Sequence, residues 1–416
     1  MTGITYEDFL DLSYEPDVED LVCEFYVEPA ADMDLAAAGS RVASESSNGT
    51  WAELQVEGSI TDLSATTFEL GDDGRIRVAY PAELFEFGNM PQILSCIAGN
   101  IMGMKAVERI RLLDCEWPEA LATSFPGPQF GTSVREEIFD AGDRPITATV
   151  PKPKVGLSTD QHVQVGYDAW TGGVDLLKDD ENLTDQSFNR FEDRLVGSLE
   201  ARDRAEEETG EKKSYLINVT AETEDMLRRT DRVAEQGGEY VMVDVVTVGW
   251  AGVQTLRERA EEHGLAIHAH RAMHAAFDRI DTHGVSMRVL AQIARLCGVD
   301  QIHTGTADLG KLENEDTVGI NEWLYGDCHG LTDVLPTASG GLHPGLLPEL
   351  VDRLGTNICV QIGGGVHGHP DGTHAGAKAL RQAVDAAVEG ADPETYADDH
   401  PELRAALDQW GTETPR

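Results

Sequence analysis

The sequence predicts an α/β protein in which a (β/α)8 barrel follows a smaller α+β domain. From about residue 135 onward, short apolar segments alternate with longer stretches of helical periodicity. Polar residues cluster at the ends of the apolar segments, which is where such a barrel carries its active site. Eight strand–helix units over roughly 250 residues match a TIM-type barrel, and a doubly wound sheet is the alternative.

The eight apolar segments predict the strands of the barrel. They are ITATVPKPK (146–154), GGVDLLKDDE (172–181), SYLINVTAE (214–222), YVMVDVVTVG (240–249), LAIHAHRAMH (265–274), QIHTGT (301–306), VLPTASGG (334–341) and CVQIGGG (359–365). Helix-like stretches lie between them, for example residues 186–208 and 253–264. The second of these stretches closes on a glycine, which is a common helix end.

The part of the chain before the barrel predicts a mixed, ferredoxin-like α+β domain. Residues 50–58 and 74–85 have the pattern of strands, while residues 90–117 predict a helix followed by another strand. Pro and Gly residues in SFPGPQFG (124–131) indicate the boundary. We therefore expect an N-terminal domain over 1–126 and a barrel domain over 127–416, with an acidic helix and tail at the end.

The charge balance excludes nucleic acid as a partner. Acidic residues outnumber basic ones by 75 to 32, and the formal net charge is −43, so phosphates would be repelled. The acids are scattered among apolar residues, which argues against disorder. An evenly acidic surface suits a salt-rich cytoplasm, where ions screen the self-repulsion, so we predict a halophilic source.

Cysteine usage and the absence of apolar runs predict a cytoplasmic protein. The six cysteines are far apart and form no CxxC motif, which favours free thiols in a reducing compartment over disulfides or zinc. No run approaches the roughly 18 apolar residues of a membrane helix. The N-terminus lacks a basic segment followed by an apolar one, so we expect no signal peptide.

Lysine is rare in this sequence, so each lysine is a stronger candidate for a functional role. Of the 32 basic residues other than histidine, only eight are lysine. An ammonium can lose its proton and become a nucleophile, whereas a guanidinium cannot, so each lysine is a candidate for chemistry. Four of them lie in or beside the apolar segments: Lys152, Lys154, Lys178 and Lys311.

The motif KDDE at 178–181 predicts a metal site at the end of the second barrel strand. Residues two apart on a strand face the same way, so Lys178 and Asp180 share a direction, and Glu181 is within loop reach. Carboxylate oxygens suit Mg2+. A lysine that has reacted with CO2 becomes a carbamate and would complete the ligand set. The alternative is a solvated surface turn.

Three further motifs carry candidate chemistry. PKPK (151–154) is either a basic loop in solvent or a pair of amines that favours a proton-transferring lysine. HAHRAMH (268–274) lacks the glutamate of a zinc hydrolase, and its His–Arg pair suits an oxyanion. GTADLGKL (305–312) nearly matches a phosphate-binding Walker loop, but Leu312 replaces the required hydroxyl residue, so a mobile loop carrying Lys311 is preferred.

Together these stretches resemble the large subunit of ribulose-1,5-bisphosphate carboxylase/oxygenase. The run GGVDLLKDDENLTDQSFNRFEDR is similar to the activation motif of that family. The family's other motifs follow in its order, and the resemblance covers nearly the whole chain. These motifs are ESSNGTW, IAGNIMGMKAVERIRLLD, PKPKVGLS, HAHRAMHAAFDR, QIHTGT with GKLE, TASGGLHP and QIGGGVHGHP.

The resemblance implies a role for each matching residue. Lys178 as a carbamate, Asp180 and Glu181 would bind Mg2+, and Lys152 would move protons with support from Lys154. His270 resembles the active-site histidine, and Lys311 resembles the loop lysine that steadies CO2. The remaining matches imply substrate or phosphate contacts: Arg271, His303, Ser339, Gly340, Gly341, Gln361, Gly363 and Gly364. Matches to residues that reach a neighbouring subunit are Glu45, Thr50, Trp51 and Asn100.

The implied reaction is a lyase-type carboxylation. Proton abstraction by the carbamate at C3 of ribulose 1,5-bisphosphate gives an enediolate that Mg2+ stabilises, and CO2 adds at C2. Hydration and cleavage then give two molecules of 3-phosphoglycerate, while O2 competes for the enediolate. The family implies at least a homodimer, with a decamer as one larger form.

Departures from the plant pattern imply the archaeal form III group. Pro151 stands before the first lysine of PKPK, Asn314 replaces a glycine, and the loop before Lys311 is one residue longer. The usual setting of that group is AMP salvage, and no small subunit is implied. The alternatives are a related enolase or isomerase of methionine salvage, which usually loses several substrate-side residues, and a non-catalytic scaffold.

Overall fold

A computed structural model describes residues 5–49, 62–310 and 316–414. The chain divides into two compact units. The first contains residues 1–127 together with the later segments 273–297 and 328–331, and the second contains the other residues. The domain boundary between residues 126 and 127 stays a prediction. No helix of the described residues is long and apolar enough to cross a membrane.

The first unit has the strand and helix order βαββαβ, as the ferredoxin-like expectation requires. Its elements are β1 (Leu21–Pro29), α1 (Leu35–Glu45), β2 (Thr66–Leu70), β3 (Arg75–Tyr80), α2 (Met90–Ile97) and β4 (Val107–Glu116). The antiparallel sheet has the order β4–β1–β3–β2. The expected helix and strand within 90–117 are α2 and β4, and β3 lies within the expected 74–85. The strand expected at 50–58 falls outside the described residues.

Four further elements belong to the first unit. They are α3 (Glu119–Ala122), α10 (Ala275–Asp278), β10 (Gly284–Val285) and α11 (Met287–Cys297). Strand β10 adds to the sheet by parallel pairing with β4. Buried residues of β1, β3 and β4 include Phe25, Ile76, Val78, Ile110 and Leu112, and together they form the apolar side of the sheet.

The second unit is built on a closed parallel barrel, in which all eight predicted strands are found among the described residues. They are β5 (Ile146–Thr149), β6 (Leu176–Lys178), β7 (Ser214–Asn218), β8 (Tyr240–Asp244), β9 (Ala266–His270), β11 (Gln301–His303), β12 (Leu335–Ser339) and β13 (Cys359–Gln361). Pairing of β13 with β5 closes the barrel. The expected barrel is therefore confirmed, and the doubly wound alternative is wrong.

Helices surround and follow the barrel strands. They are α4 (Val134–Glu137), α5 (Thr159–Thr171), α6 (Phe191–Thr209), α7 (Thr223–Glu235), α8 (Val245–Val248), α9 (Trp250–His263), α12 (Thr317–Tyr325), α13 (Leu347–Leu354), α14 (Gly364–His367), α15 (Thr373–Glu389), α16 (Pro393–Tyr396) and α17 (Pro401–Trp410). Ser158 and Gln161 form a capping box that begins α5. Gly264 ends α9 in the left-handed conformation, as expected.

The lower part of the barrel is filled by apolar side chains, one or two from most strands. Ile146, Leu176, Leu216, Met242 and Leu335 belong to one fully buried cluster. Burial of a side chain of this size stabilises the fold by about 1.5–3 kcal/mol. The barrel interior is therefore a packed core, and only its upper end is open to chemistry.

A buried ion pair anchors the start of β6. The Asp175 carboxylate lies 2.6 and 2.7 Å from the two terminal nitrogens of Arg144, and it accepts hydrogen bonds from both the backbone N–H and the hydroxyl of Thr147. Although burial raises the pKa of Asp175, the Arg144 guanidinium and these hydrogen bonds hold it below its usual value. Asp175 thus fixes the end of β6 that lies away from the polar strand ends.

Candidate active site

The last residues of the barrel strands line the upper end of the barrel. Parallel strands present their carboxyl ends at one face, so these side chains converge there. The final residues of six strands are Lys178 (β6), Asp244 (β8), His270 (β9), His303 (β11), Ser339 (β12) and Gln361 (β13). Five of these residues were expected site residues, and Asp244 was not.

Lys178 is completely buried at the end of β6. Its Nζ donates a hydrogen bond to the backbone oxygen of Asp179 at 2.8 Å and lies 3.9 Å from Oε2 of Glu181. Burial lowers the pKa of Lys178, and the neighbouring acids Glu181 and Asp180 oppose this effect. The solvated surface turn is therefore wrong for Lys178, and its environment favours an amine that can become neutral and react.

Asp180 and Glu181 stand beside this amine. Asp180 is buried, its Oδ2 accepts from Lys152 Nζ at 3.3 Å, and its Oδ1 accepts from the side chain of Asn182 at 2.9 Å. Burial raises the pKa of Glu181, but the charges of His270 and Lys178 hold it below its usual value. Two carboxylates and two amines thus share the site, while Lys154 is exposed.

The third acid of the motif, Asp179, faces away from Lys178 into the helix layer. Its carboxylate accepts from Arg194 Nε at 3.1 Å, from the Tyr215 hydroxyl at 2.6 Å and from the Asn218 backbone N–H at 3.0 Å. His162 Nε2 lies 3.3 Å from the same carboxylate. Although burial raises the pKa of Asp179, Arg194 and His162 lower it to about 2. Asp179 therefore anchors the motif.

His270 is oriented by an acid that the sequence analysis missed. Its Nδ1 lies 2.6 Å from Asp244 Oδ1, and its Nε2 lies 3.5 Å from Glu181 Oε2. Burial and the nearby Lys178 charge lower the pKa of His270, while Asp244 opposes them. An imidazole held between two carboxylates can accept or pass a proton without leaving its position.

His303 and Ser339 form a second polar group on the next two strands. His303 Nδ1 lies 2.7 Å from Ser339 Oγ, and His303 Nε2 lies 2.9 Å from Nε2 of His268. Burial lowers the pKa of both histidines well below the usual value. Arg271, which follows β9, is also buried.

Glycines allow the backbone to approach the site closely. Gly340 and Gly341 have φ values of 114° and 80°, which other residues rarely adopt. A Cβ on Gly363 would lie 2.9 Å from Lys152 Cε, whereas a Cβ on Gly364 would meet nothing within 4 Å. Gly363 therefore leaves room for the Lys152 side chain, and the space beside Gly364 is open.

Five expected residues remain. Lys311, Thr50 and Trp51 fall outside the described residues. Glu45 is the half-buried last residue of α1, and Asn100 is exposed at the start of a short 3-10 turn. Both belong to the first unit. Their expected approach to a neighbouring subunit stays a prediction.

A closed parallel barrel whose mouth holds a buried lysine 3.9 Å from a carboxylate defines the class: a TIM-barrel protein with a polar site at the carboxyl ends of its strands. Family models support this assignment. Residues 131–410 match the model "Ribulose bisphosphate carboxylase large chain, catalytic domain", and residues 8–121 match that of the N-terminal domain of the same chain. The chain belongs to the ribulose bisphosphate carboxylase large-chain family.

Individual relatives extend over nearly the whole chain. It is 51% identical to the ribulose bisphosphate carboxylase of Pyrococcus abyssi, with 99% of this chain and 98% of the relative covered. The octameric enzyme of Pyrococcus horikoshii has a TM-score of 0.95 at 48% identity, with 99% and 98% covered. The dimeric archaeal enzyme of Hyperthermus butylicus has a TM-score of 0.92 at 45% identity, with 98% and 99% covered.

Proposed function

We propose that this ribulose bisphosphate carboxylase adds CO2 to ribulose 1,5-bisphosphate in a reaction that depends on Mg2+ and on a carbamate at Lys178. The products are two molecules of 3-phosphoglycerate, and O2 competes with CO2. One observation carries the proposal: the fully buried Lys178 at the end of β6 has its Nζ 3.9 Å from Glu181, and Asp180 beside it is buried as well. Burial of a charged amine costs free energy, and this cost favours the neutral amine that can react with CO2.

The donor set fits Mg2+ only after this reaction. Among residues 5–49, 62–310 and 316–414, no group of three His, Cys, Asp or Glu side chains is arranged to hold a metal ion. Asp180 and Glu181 supply two hard carboxylate ligands, and the carbamate on Lys178 would supply the third. When bound, Mg2+ stabilises negative charge on substrate oxygens.

The chain's own residues prepare the proton transfers. A neutral Lys178 amine forms a bond to the carbon of CO2 and releases a proton. The low pKa of Lys178 favours the neutral amine required for this step. Lys152, 3.3 Å from Asp180, is placed to give or take a proton at the substrate. We assign the same role to His270, which lies 2.6 Å from Asp244 and 3.5 Å from Glu181.

Substrate phosphates require donors at the barrel mouth. Arg271 can bind an oxyanion bidentately. We assign His303 on β11 and Ser339 on β12 to substrate binding as well, and the backbone N–H groups of the glycines at 340–341 and 363–364 to phosphate. We assign Gln361 to the same substrate surface. In the first unit, Glu45, Thr50, Trp51 and Asn100 are proposed to serve a neighbouring subunit's site, and Lys311 to close over the substrate.

We also propose an oligomeric state and a metabolic role for this chain. The octameric and dimeric relatives support a homo-oligomer of at least two chains without a small subunit. We assign the chain to the archaeal form III group with a role in AMP salvage, and we propose that the net charge of −43 adapts it to a salt-rich cytoplasm.

The test is fixation of labelled bicarbonate with ribulose 1,5-bisphosphate and Mg2+ in high salt. Labelled 3-phosphoglycerate is expected from the wild type. Lys178→Arg keeps the positive charge but forms no carbamate, so we expect at least a ~1,000-fold lower rate. Proton exchange of the substrate without labelled product would support the related enolase and contradict carboxylation, and full activity of Lys178→Arg would contradict the metal site.

A further inference from the structure

Two histidines lie in the loops that carry the glycines after the last two barrel strands. His343 lies two residues after Gly341 in the loop after β12, and His369 lies between α14 and α15 in the loop after β13. Both are buried, although the proposed chemistry uses neither of them. Burial of a polar ring costs free energy unless hydrogen bonds offset it, so the partners of these rings indicate their role.

Both histidines donate hydrogen bonds to the backbone of residues 401–413, which comprise α17 and the three residues after it. His343 Nε2 lies 3.0 Å from the backbone oxygen of Glu413, and His369 Nε2 lies 2.9 Å from that of Glu402. A carbonyl oxygen can only accept, so both rings carry a proton on Nε2. Two separate loops of the barrel mouth are thereby bonded to one segment of the chain.

Trp410, the last residue of α17, lies against both histidines. Its ring centroid is 6.1 Å from that of His343, with an angle of 29° between the ring planes. The centroid of His369 is 6.5 Å away, and that ring is inclined by 62°. Aromatic rings at separations of about 4.5–7 Å attract each other in addition to the effect of burial. A single indole ring therefore links the loop after β12 to the loop after β13.

Small residues let the backbones of these three stretches approach closely. A Cβ on Gly345 would clash with the backbone oxygen of Gly411, and a Cβ on Gly365 would lie 2.8 Å from Cα of His343. The loops thus pack on each other as well as on residues 401–413. The apolar side chains that join the three stretches in one buried cluster are Leu342, Leu346, Val366, Leu403 and Leu407.

A fixed arrangement of these loops matters for anion binding. Gly340 and Gly341 adopt positive φ values, and glycine loses more conformational freedom on ordering than any other residue. If the loops became ordered only when a phosphate bound, that loss would weaken binding. Loops that are already held in place avoid this cost.

We propose that Trp410, His343 and His369 are positioning residues, which hold the two glycine loops in the arrangement that binds a substrate phosphate through backbone N–H groups. This inference rests on the proposed function, because it takes the glycines at 340–341 and 363–364 as the phosphate ligands. The three side chains act on affinity rather than on the chemical step. They should therefore set the KM for ribulose 1,5-bisphosphate and leave kcat nearly unchanged.

Hydrogen–deuterium exchange of the assembled enzyme, followed by mass spectrometry, measures the support of the loops without substrate. In Trp410→Ala we expect peptides covering 339–346 and 363–369 to exchange at least about tenfold faster, while β7 exchanges as in the wild type. Gln409→Ala changes an exposed neighbour on α17 and is the matched control, with no change expected. Unchanged exchange of either loop in Trp410→Ala would overturn the proposal. A wild type that fixes no labelled bicarbonate would contradict only the proposed function.

Steady-state carboxylation tests the effect on substrate affinity. In Trp410→Ala the KM for ribulose 1,5-bisphosphate should rise about three- to tenfold, with kcat within about twofold of the wild type. Trp410→Phe keeps an aromatic ring and should restore KM to within about twofold. His343→Ala loses both the bond to Glu413 and the ring pair, so it should raise KM in the same way even if Trp410→Ala does not fold. An unchanged KM in the folded alanine variants, or a fall in kcat as large as the rise in KM, would refute the positioning role.

Discussion

Replacement of Asp179 by asparagine tests how much the buried carboxylate that anchors the KDDE motif contributes to stability. Both Asp179 and Arg194 are fully buried, and Asp179→Asn leaves the Arg194 charge without its counter-ion. Loss of one partner of a buried ion pair costs about 3–5 kcal/mol. The lowering of the pKa of Asp179 from 3.8 to about 2 corresponds independently to about 2 kcal/mol at neutral pH. We therefore expect a loss of about 2–5 kcal/mol in the free energy of unfolding.

The pH dependence has a definite sign. Because the pKa of Asp179 is lower in the folded chain, its contribution is complete above the unfolded value and disappears as the pH falls through about 2. Asp179→Asn lacks this contribution at every pH. The difference in stability between wild type and variant should therefore shrink on acidification below about pH 4. Urea unfolding followed by circular dichroism, at several pH values in high salt, measures it.

Asp175→Asn provides the matched control at the other end of the same strand. It also breaks a buried aspartate–arginine pair, here with Arg144, so a similar loss of stability is expected. Of the two aspartates, only Asp179 is adjacent to Lys178, and its backbone oxygen accepts a hydrogen bond from Lys178 Nζ. We expect carboxylation to fall at least about tenfold in Asp179→Asn and by less than about twofold in Asp175→Asn. Equal activities, or a stability loss below about 1 kcal/mol in Asp179→Asn, would refute this reasoning.

Three further outcomes follow from glycine packing and from a half-buried histidine. In Gly363→Ala the new Cβ lies 2.9 Å from Lys152 Cε, so kcat/KM should fall about tenfold while the unfolding midpoint hardly changes; an unchanged kcat/KM would contradict this. In Gly172→Ala the Cβ would lie 2.4 Å from the backbone oxygen of His374, which should cost about 1–3 kcal/mol in urea unfolding, and wild-type stability would disprove the clash. Burial lowers the pKa of His367 to about 4 from 6.5, so its contribution of up to about 3 kcal/mol should be lost as the pH falls from about 6.5 towards 4. In His367→Gln the free energy of unfolding should vary less with pH over this range. The same pH dependence as in the wild type would contradict the prediction.

The barrel could be predicted because its strands are buried on both faces and therefore form continuous apolar segments. Their limits were less accurate. The segment at 172–181 contains only three strand residues, Leu176–Lys178, since its glycines end the preceding helix turn and its acids begin the loop. Strands β1 and β2 were missed. Acids interrupt the apolar pattern of β1 at Glu24 and Glu28, and β2 is only five residues long.

The metal motif could be predicted from local spacing, but its supporting partners could not. Lys178, Asp180 and Glu181 are adjacent in sequence, so their proximity follows from the chain itself. Asp244 meets His270 from 26 residues away, and His268 meets His303 from 35 residues away. Those pairs depend on which strands are neighbours in the closed barrel. The polar residue that ends the apolar run YVMVD was the available signal for Asp244.

Side chains along β6 and at its carboxyl end alternate between two directions. This alternation limits the changes in chain length that the protein can tolerate. Lys178 and Asp180 face the barrel interior, and Asp179 between them faces the helix layer. An insertion or deletion of a single codon within β6 would exchange these directions, placing the Arg194 partner at the mouth and a lysine among the helices. Length variation in this enzyme should therefore be tolerated in loops such as 210–212, where a helix has already ended and Gly210 and Lys212 are exposed. Within Leu176–Lys178 it should abolish activity.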